Sequence, residues 1–161
     1  MTKFARYEVG GNISYGIVEG DTVKDISAAP YDDYSETGTT HNLSDIKVLA
    51  PVVPGKIIAI GRNYVSHLDH SASLVGGDME LPKVPEPFFK TTSSVIGPND
   101  PIILPKEIAE EGVRVEEEAE LTLVIGKRCR RATQDNAFDY VLGVTCGNDV
   151  SARDWQVGDL S

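Results

Sequence analysis

Glu118-Ala119-Glu120-Leu121-Thr122-Leu123-Val124-Ile125 alternates in character at every second residue. Leu121, Leu123 and Ile125 fall on one side; Glu118, Glu120, Thr122 and Val124 fall on the other. Successive side chains of a β-strand point to opposite faces, so this period predicts a strand. Downstream, Thr133 reads as a helix N-cap with Asp135 in the first turn, and a helix is expected through Ala137, Phe138, Tyr140, Val141 and Leu142. Gly143 then stands where a C′ glycine ends a helix, and Val144 to Val150 returns as a second strand.

Upstream, Lys56 to Ile60 reads as a buried strand stopped by Gly61, with Asn63 capping a short helix through Tyr64, His67 and Leu68. Residues 71–87 read as a long loop. Strands are expected near Phe88-Phe89-Lys90, Ser94-Val95-Ile96 and Ile102-Ile103-Leu104, with a turn at Pro98-Asn99-Asp100. The first 29 residues hold β-rich runs around Gly10-Gly11-Asn12 and Glu19-Gly20-Asp21, a hairpin signal. Residues 30–42 read as loop. A small β module over 1–51 is therefore expected, followed at Pro51-Val52-Val53-Pro54 by a second region over 52–161. The fold class is mainly β, of the α+β type.

The chain has 161 residues, 40% of them hydrophobic, enough to bury a core. Its net charge of −10 disfavours a phosphate backbone as partner, so no nucleic acid is expected. No apolar run approaches the length that spans a bilayer, so no membrane is expected either. Cys129 and Cys146 make no disulfide framework, which points to a reducing cytoplasm.

Several residues carry possible chemistry. Glu118 and Glu120, two apart on a strand, aim two carboxylates at one spot, which calls for a cation between them. A hard ion with oxygen ligands, Mg²⁺, Mn²⁺ or Ca²⁺, is one solution; a solvated acidic strand edge amid Glu107, Glu110, Glu111, Glu116 and Glu117 is the other. Asp149, at the end of the returning strand, is either a third ligand or part of a turn-forming Asn-Asp pair. His67, just past Gly61-Arg62-Asn63-Tyr64, is either a general base or a helix-surface histidine. With His70 it shares a helix face, but no third zinc ligand stands at suitable spacing. Arg153 and Gln156 offer donors to a substrate carboxylate, or Arg153 pairs with Asp154. Lys90 is a site cation or a strand-end charge.

Five stretches in order resemble the fumarylacetoacetate hydrolase family: Ile60-Gly61-Arg62-Asn63-Tyr64 with His67; Pro87-Phe88-Phe89-Lys90 with Ser93 to Pro98; Glu118-Ala119-Glu120-Leu121; Val124-Ile125-Gly126-Lys127; and Gly147-Asn148-Asp149-Val150-Ser151-Ala152-Arg153-Asp154-Trp155-Gln156. The resemblance covers about residues 52–161. It implies mixed β-sheets rolled around a central site, usually in a homodimer, and Mg²⁺ or Mn²⁺ held by Glu118, Glu120 and Asp149. It implies a small-molecule 2-oxo or enol acid as substrate, with Arg153, Gln156, Lys90 and Tyr64 as substrate-facing groups. Its members hydrolyse a C–C bond, decarboxylate or move a double bond, because the metal stabilises developing enolate charge.

In the family's hydrolases, His67's counterpart works with a Glu three positions later; here that position is His70. The family's barrel also continues beyond the Asn-Asp-Val-Ser-Ala-Arg-Asp segment, so 52–161 is expected to be the first part of the catalytic domain. The first reading is a metal-dependent C–C hydrolase, with isomerase or decarboxylase next. A catalytically silent truncated chain is the reading from a different class.

Overall fold

The computed structural model describes residues 1–66 and 82–156. Two compact units divide the chain: Met1–Val52 with the residues from Gly97 onward, and Val53–Ile96. Every described strand pairing is antiparallel.

The N-terminal strands β1 (Phe4–Val9), β2 (Asn12–Glu19) and β3 (Thr22–Ile26) form as expected. Gly10 and Gly11 both carry positive φ, the backbone that a two-residue hairpin turn requires. Two further strands, β4 (Glu36–Asn42) and β5 (Lys47–Val48), complete a five-stranded sheet in the order β4-β3-β2-β1-β5. The loop expected over 30–42 therefore contains an edge strand. Its composition, Glu-Thr-Gly-Thr-Thr-His-Asn, is polar because almost all of it is exposed, and its backbone is organised by pairing with β3 rather than by an apolar side.

The core of this sheet is Ala5, Tyr7 and Val23, with Val9, Val18, Leu43 and Ile46 packed against it. Tyr7 has no exposed surface. Its hydroxyl finds a partner by donating to Asp25 Oδ1 at 2.6 Å. Burial first, then that bond and the Asp25 charge, push the phenol's pKa well above its ordinary value. Gly16 lies over the same core: a Cβ there would collide with the Val23 side chain and the Lys24 carbonyl. Gly16→Ala is thus expected to destabilise the protein by about 1–3 kcal/mol, the usual range for overpacking. Urea unfolding checks this, and an unchanged midpoint would contradict it.

Lys47 Nζ bonds Asp100 Oδ1 at 2.8 Å, and the Gly97 N–H donates to Asp100 Oδ2 at 2.9 Å. Lys47 first, then the Gly97 N–H, hold the Asp100 carboxyl below its ordinary value of 3.8. A carboxyl depressed in the folded state contributes stability that is present above the unfolded value and lost as pH falls through the folded one. Wild type is therefore expected to lose more stability than Asp100→Asn as pH falls below about 4. Equal losses in acid unfolding curves would count against this bond.

The strands expected near 94–96 and 102–104 are absent. Thr92–Ser94 forms a 3-10 turn, and Pro98, Pro101 and Pro105 punctuate the following stretch with residues that cannot donate to a ladder. A helix absent from the sequence reading, α1 (Lys106–Glu111), buries Ile108 and ends at Gly112. The ladder of β8 (Val115–Glu116), β9 (Ala119–Ile125), β10 (Val141–Asn148) and β11 (Ser151–Ala152) follows, and α2 (Arg153–Gln156) succeeds it.

The helix expected from Thr133 does not form. The Thr133 N–H donates to the Asn136 side chain at 2.8 Å, and the Asn136 N–H donates back to the Thr133 carbonyl, so the expected cap closes a turn instead. Only a 3-10 turn, Ala137–Tyr140, remains of it. Val141 and Gly143 belong to β10, which pairs with β9 across a bulge between those two residues.

Among the described residues of the Val53–Ile96 unit, β6 (Ile57–Gly61) pairs with β7 (Glu86–Lys90). Val65 and Ser66 are helical. No described helix is long and apolar enough to cross a membrane.

Candidate metal centre

In the β9/β10 pair Ala119 faces Asn148 and Glu120 faces Gly147; in the β8/β11 pair Glu116 faces Ser151. One register runs through both pairs. At the interruption between them Asp149 falls opposite Glu118, and its N–H donates to the Glu118 carbonyl at 2.9 Å. Facing residues of an antiparallel ladder share a side, and the side alternates at each step. Glu116, Glu118 and Glu120 therefore share one side with Gly147, Asp149 and Ser151. Gly147 contributes no side chain to it, and a Cβ there would stand 2.5 Å from Thr122 Oγ1 and 3.7 Å from Glu120 Cβ. The Thr122 hydroxyl takes the room a Cβ would need, so this position fits glycine.

The side-chain contacts agree with this face. Ser151 Oγ donates to Glu118 Oε1 at 2.7 Å. Arg153 Nη2 stands 3.1 Å from the same oxygen, while its Nε donates to Glu116 Oε2 at 2.8 Å. Its Nη1 donates to Gln156 Oε1 at 3.0 Å. The Arg153 and Glu118 side chains are only 16% and 19% exposed, so this pair is largely shielded from water. Burial acts to lower the Arg153 pKa, but the bonds to Glu116 and Glu118 and their charges outweigh it and raise it. Asp154 does not pair with Arg153; its Oδ2 accepts the Arg114 backbone N–H at 2.7 Å.

The donor chemistry of Glu118, Glu120 and Asp149 suits a hard divalent cation, since all three offer carboxylate oxygens. The ladder register gives them a common side. As the side chains stand, Glu118 is drawn toward Ser151 and Arg153. Among the described residues no group of three or more His, Cys, Asp and Glu side chains is gathered into a metal-holding cluster.

The remaining sequence candidates lie in the other unit. Lys90 is the last residue of β7, opposite Ile57, and Tyr64 follows β6 by three residues. His67 and His70 lie outside the described residues. The opposite side of the β9/β10 ladder carries Leu121, Leu123 and Ile125, which are 65%, 48% and 58% exposed.

Two features escaped the sequence reading. Arg153 bridges Glu116 and Glu118 rather than its neighbour Asp154. The spacing of the three glutamates was visible, but the cation that ties two of them lies across the ladder and needs the register. In the second unit, Arg62 forms a two-bond fork onto the Glu86 carboxylate, with Nε to Oε2 at 2.7 Å and Nη2 to Oε1. It does so from a left-handed backbone with φ 51°, uncommon for a residue with a side chain.

Comparison with known proteins gives this ladder a context. The family model described as "Fumarylacetoacetate (FAA) hydrolase C-terminal" matches residues 56–160, and one described as "Rv2993c-like, N-terminal" matches residues 2–51. The chain is similar to oxaloacetate tautomerase fahd2, mitochondrial, of Xenopus laevis, with 45% identity over 71% of this chain and 33% of that protein. It resembles the crystal structure of 5-carboxymethyl-2-hydroxymuconate delta-isomerase from Mycobacterium smegmatis, with TM-score 0.82 and 34% identity over 100% of this chain and 59% of that one. It also resembles maleylpyruvate hydrolase from Sphingobium sp. SYK-6, solved in complex with manganese(II) and pyruvate, with TM-score 0.68 and 27% identity over 95% and 60%. The chain spans 34–48% of the length of the first curated relatives it matches, and 58–60% of the first solved chains. The family match over 56–160 and the mainly β architecture agree: the chain belongs to the fumarylacetoacetate hydrolase family and has its fold.

Proposed function

We propose that the chain carries the divalent-metal site of an enzyme that interconverts the enol and keto forms of a 2-oxo acid, or shifts a double bond conjugated with one. The observation that supports this is the single register of the β8–β11 ladder, in which Glu118, Glu120 and Asp149 share one side beside the bare backbone of Gly147. These three carboxylates would hold Mg²⁺ or Mn²⁺, with Ca²⁺ a further oxygen-seeking candidate. Such an ion, when bound, supplies a Lewis acid for the oxygen of a 2-oxo or enol acid.

The chain's other groups divide the remaining work. His67 is the base that moves a proton between the enol oxygen and the carbon beside the enol carbon. Gln156 meets the substrate: Arg153 occupies its amide oxygen, which leaves the NH₂ end as donor. Lys90 and Tyr64 are candidates for the substrate carboxylate. The likeness to a tautomerase and an isomerase supports proton transfer as the reaction. A homodimer and a reducing compartment are parts of the same proposal.

C–C bond hydrolysis is the second reading, supported by the likeness to maleylpyruvate hydrolase. It requires water to be deprotonated and aimed at a carbonyl, and the residue three after His67 is a histidine where the family's hydrolases carry a glutamate. With Mn²⁺ present, kcat/KM for tautomerising an oxaloacetate-type acid is expected to exceed that for hydrolysing an acylpyruvate by about 100-fold, the low end of what a well-placed base contributes. Equal efficiencies, or faster hydrolysis, would favour the second reading.

A further inference from the structure

We infer that Arg153 is a positioning residue for the metal centre: its guanidinium, shared among Glu116, Glu118 and Gln156, fixes the carboxylate plane of Glu118 for a divalent ion. The inference deepens the proposed function and rests on its assignment of Glu118 as a ligand.

Arg153 uses Nε on Glu116 Oε2 at 2.8 Å, Nη2 on Glu118 Oε1 at 3.1 Å and Nη1 on Gln156 Oε1 at 3.0 Å. A guanidinium is a rigid planar fork, so these three partners are held in fixed relation to one another. Ser151 Oγ donates to the same Oε1 of Glu118 at 2.7 Å. Two donors on one oxygen set the rotation of the carboxylate and hence where its other oxygen points. Glu116 in turn lies between two cations, with Arg114 Nε 3.4 Å from its Oε1. The ladder supplies the backbone for this chain of contacts, since Glu116 faces Ser151 and the Arg153 N–H donates to the Arg114 carbonyl at 2.8 Å. Hydrogen-bonded outer partners of this kind orient metal ligands.

A competing effect has the opposite sign. A positive charge beside a ligand repels a divalent cation, so if charge alone mattered, removing Arg153 would tighten metal binding. Orientation and charge can therefore be told apart by the direction of the change.

The test is a titration of the metal-free chain with Mn²⁺, read by the loss of the free-ion electron paramagnetic resonance signal. Arg153→Met is expected to weaken binding by about 10–100-fold, as losses of outer partners do. Arg153→Lys keeps the charge but has no fork, and is expected to weaken binding by about tenfold. Ser151→Ala removes the second donor with little change in volume and is expected to weaken it several-fold. Tighter or unchanged binding in Arg153→Met overturns the inference, as does wild-type affinity in Arg153→Lys. If Arg153→Met does not fold, Arg153→Lys and Ser151→Ala carry the test, and wild-type affinity in Arg153→Lys still overturns it. Wild type binding no Mn²⁺ overturns the proposed metal centre itself, a failure distinct from the others.

Discussion

Glu120→Gln is expected to weaken Mn²⁺ binding by more than about 100-fold, beyond the 10–100-fold that losing an outer partner of a ligand costs. The substitution keeps the size of the side chain and removes its charge. Glu120 faces Gly147, so no side chain stands directly opposite to take its place. An amide oxygen can still ligate a hard cation, but without the anionic charge that attracts it. Because a ligand that binds only the folded state stabilises it, Mn²⁺ should raise the melting temperature of wild type and barely that of Glu120→Gln. Calorimetric titration measures the affinity directly. An affinity within a few-fold of wild type would remove Glu120 from the ligand set.

The second large effect concerns the residue pair His67 and His70. His67→Ala is expected to cost about 100-fold or more in hydrolysis of acylpyruvate-type substrates, and less in decarboxylation of oxaloacetate-type ones. Hydrolysis depends on a base that activates water; decarboxylation depends more on stabilising the enolate that forms. His70→Glu is expected to raise hydrolysis, because a carboxylate would orient His67 and stabilise its protonated form, as a second imidazole cannot. The measurement is kcat/KM for both substrate classes in wild type and each variant. If wild type already hydrolyses acylpyruvates well and His70→Glu changes nothing, another carboxylate fills that role, with Asp69, Asp78 and Glu80 as candidates.

What could be read from the sequence divides by the range of the interactions involved. The strand from Ala119 to Ile125 was legible because its two-residue period is local. The N-terminal hairpin was legible because Gly10 and Gly11 permit a turn few other residues make. β4 was not, because an exposed edge strand of threonines has the composition of a loop and is specified by its neighbour. Thr133 was misread as a cap because the same residue opens a turn when Asn136 accepts its N–H. The candidate ligands were legible as residue types, and their ladder was expected to be strand–helix–strand. The observed connection is an antiparallel pair, which also brings Asp149 beside Glu118. The Arg153 bridge was not legible, because it joins residues 35 and 37 positions apart that meet only through the register.

Solvent deuterium exchange reads enolisation of a 2-oxo acid at the proposed metal centre. The metal-free chain, supplied with Mn²⁺ and pyruvate in D₂O, is followed by proton NMR. Enolisation replaces methyl protons with deuterium whether or not any C–C bond breaks, so the readout is independent of the choice between tautomerase and hydrolase. Loss of the methyl signal is expected to require both protein and Mn²⁺ and to disappear in Asp149→Asn. Exchange no faster than with Mn²⁺ alone, or exchange that survives Asp149→Asn, would contradict it, and the former is the outcome a catalytically silent chain would give.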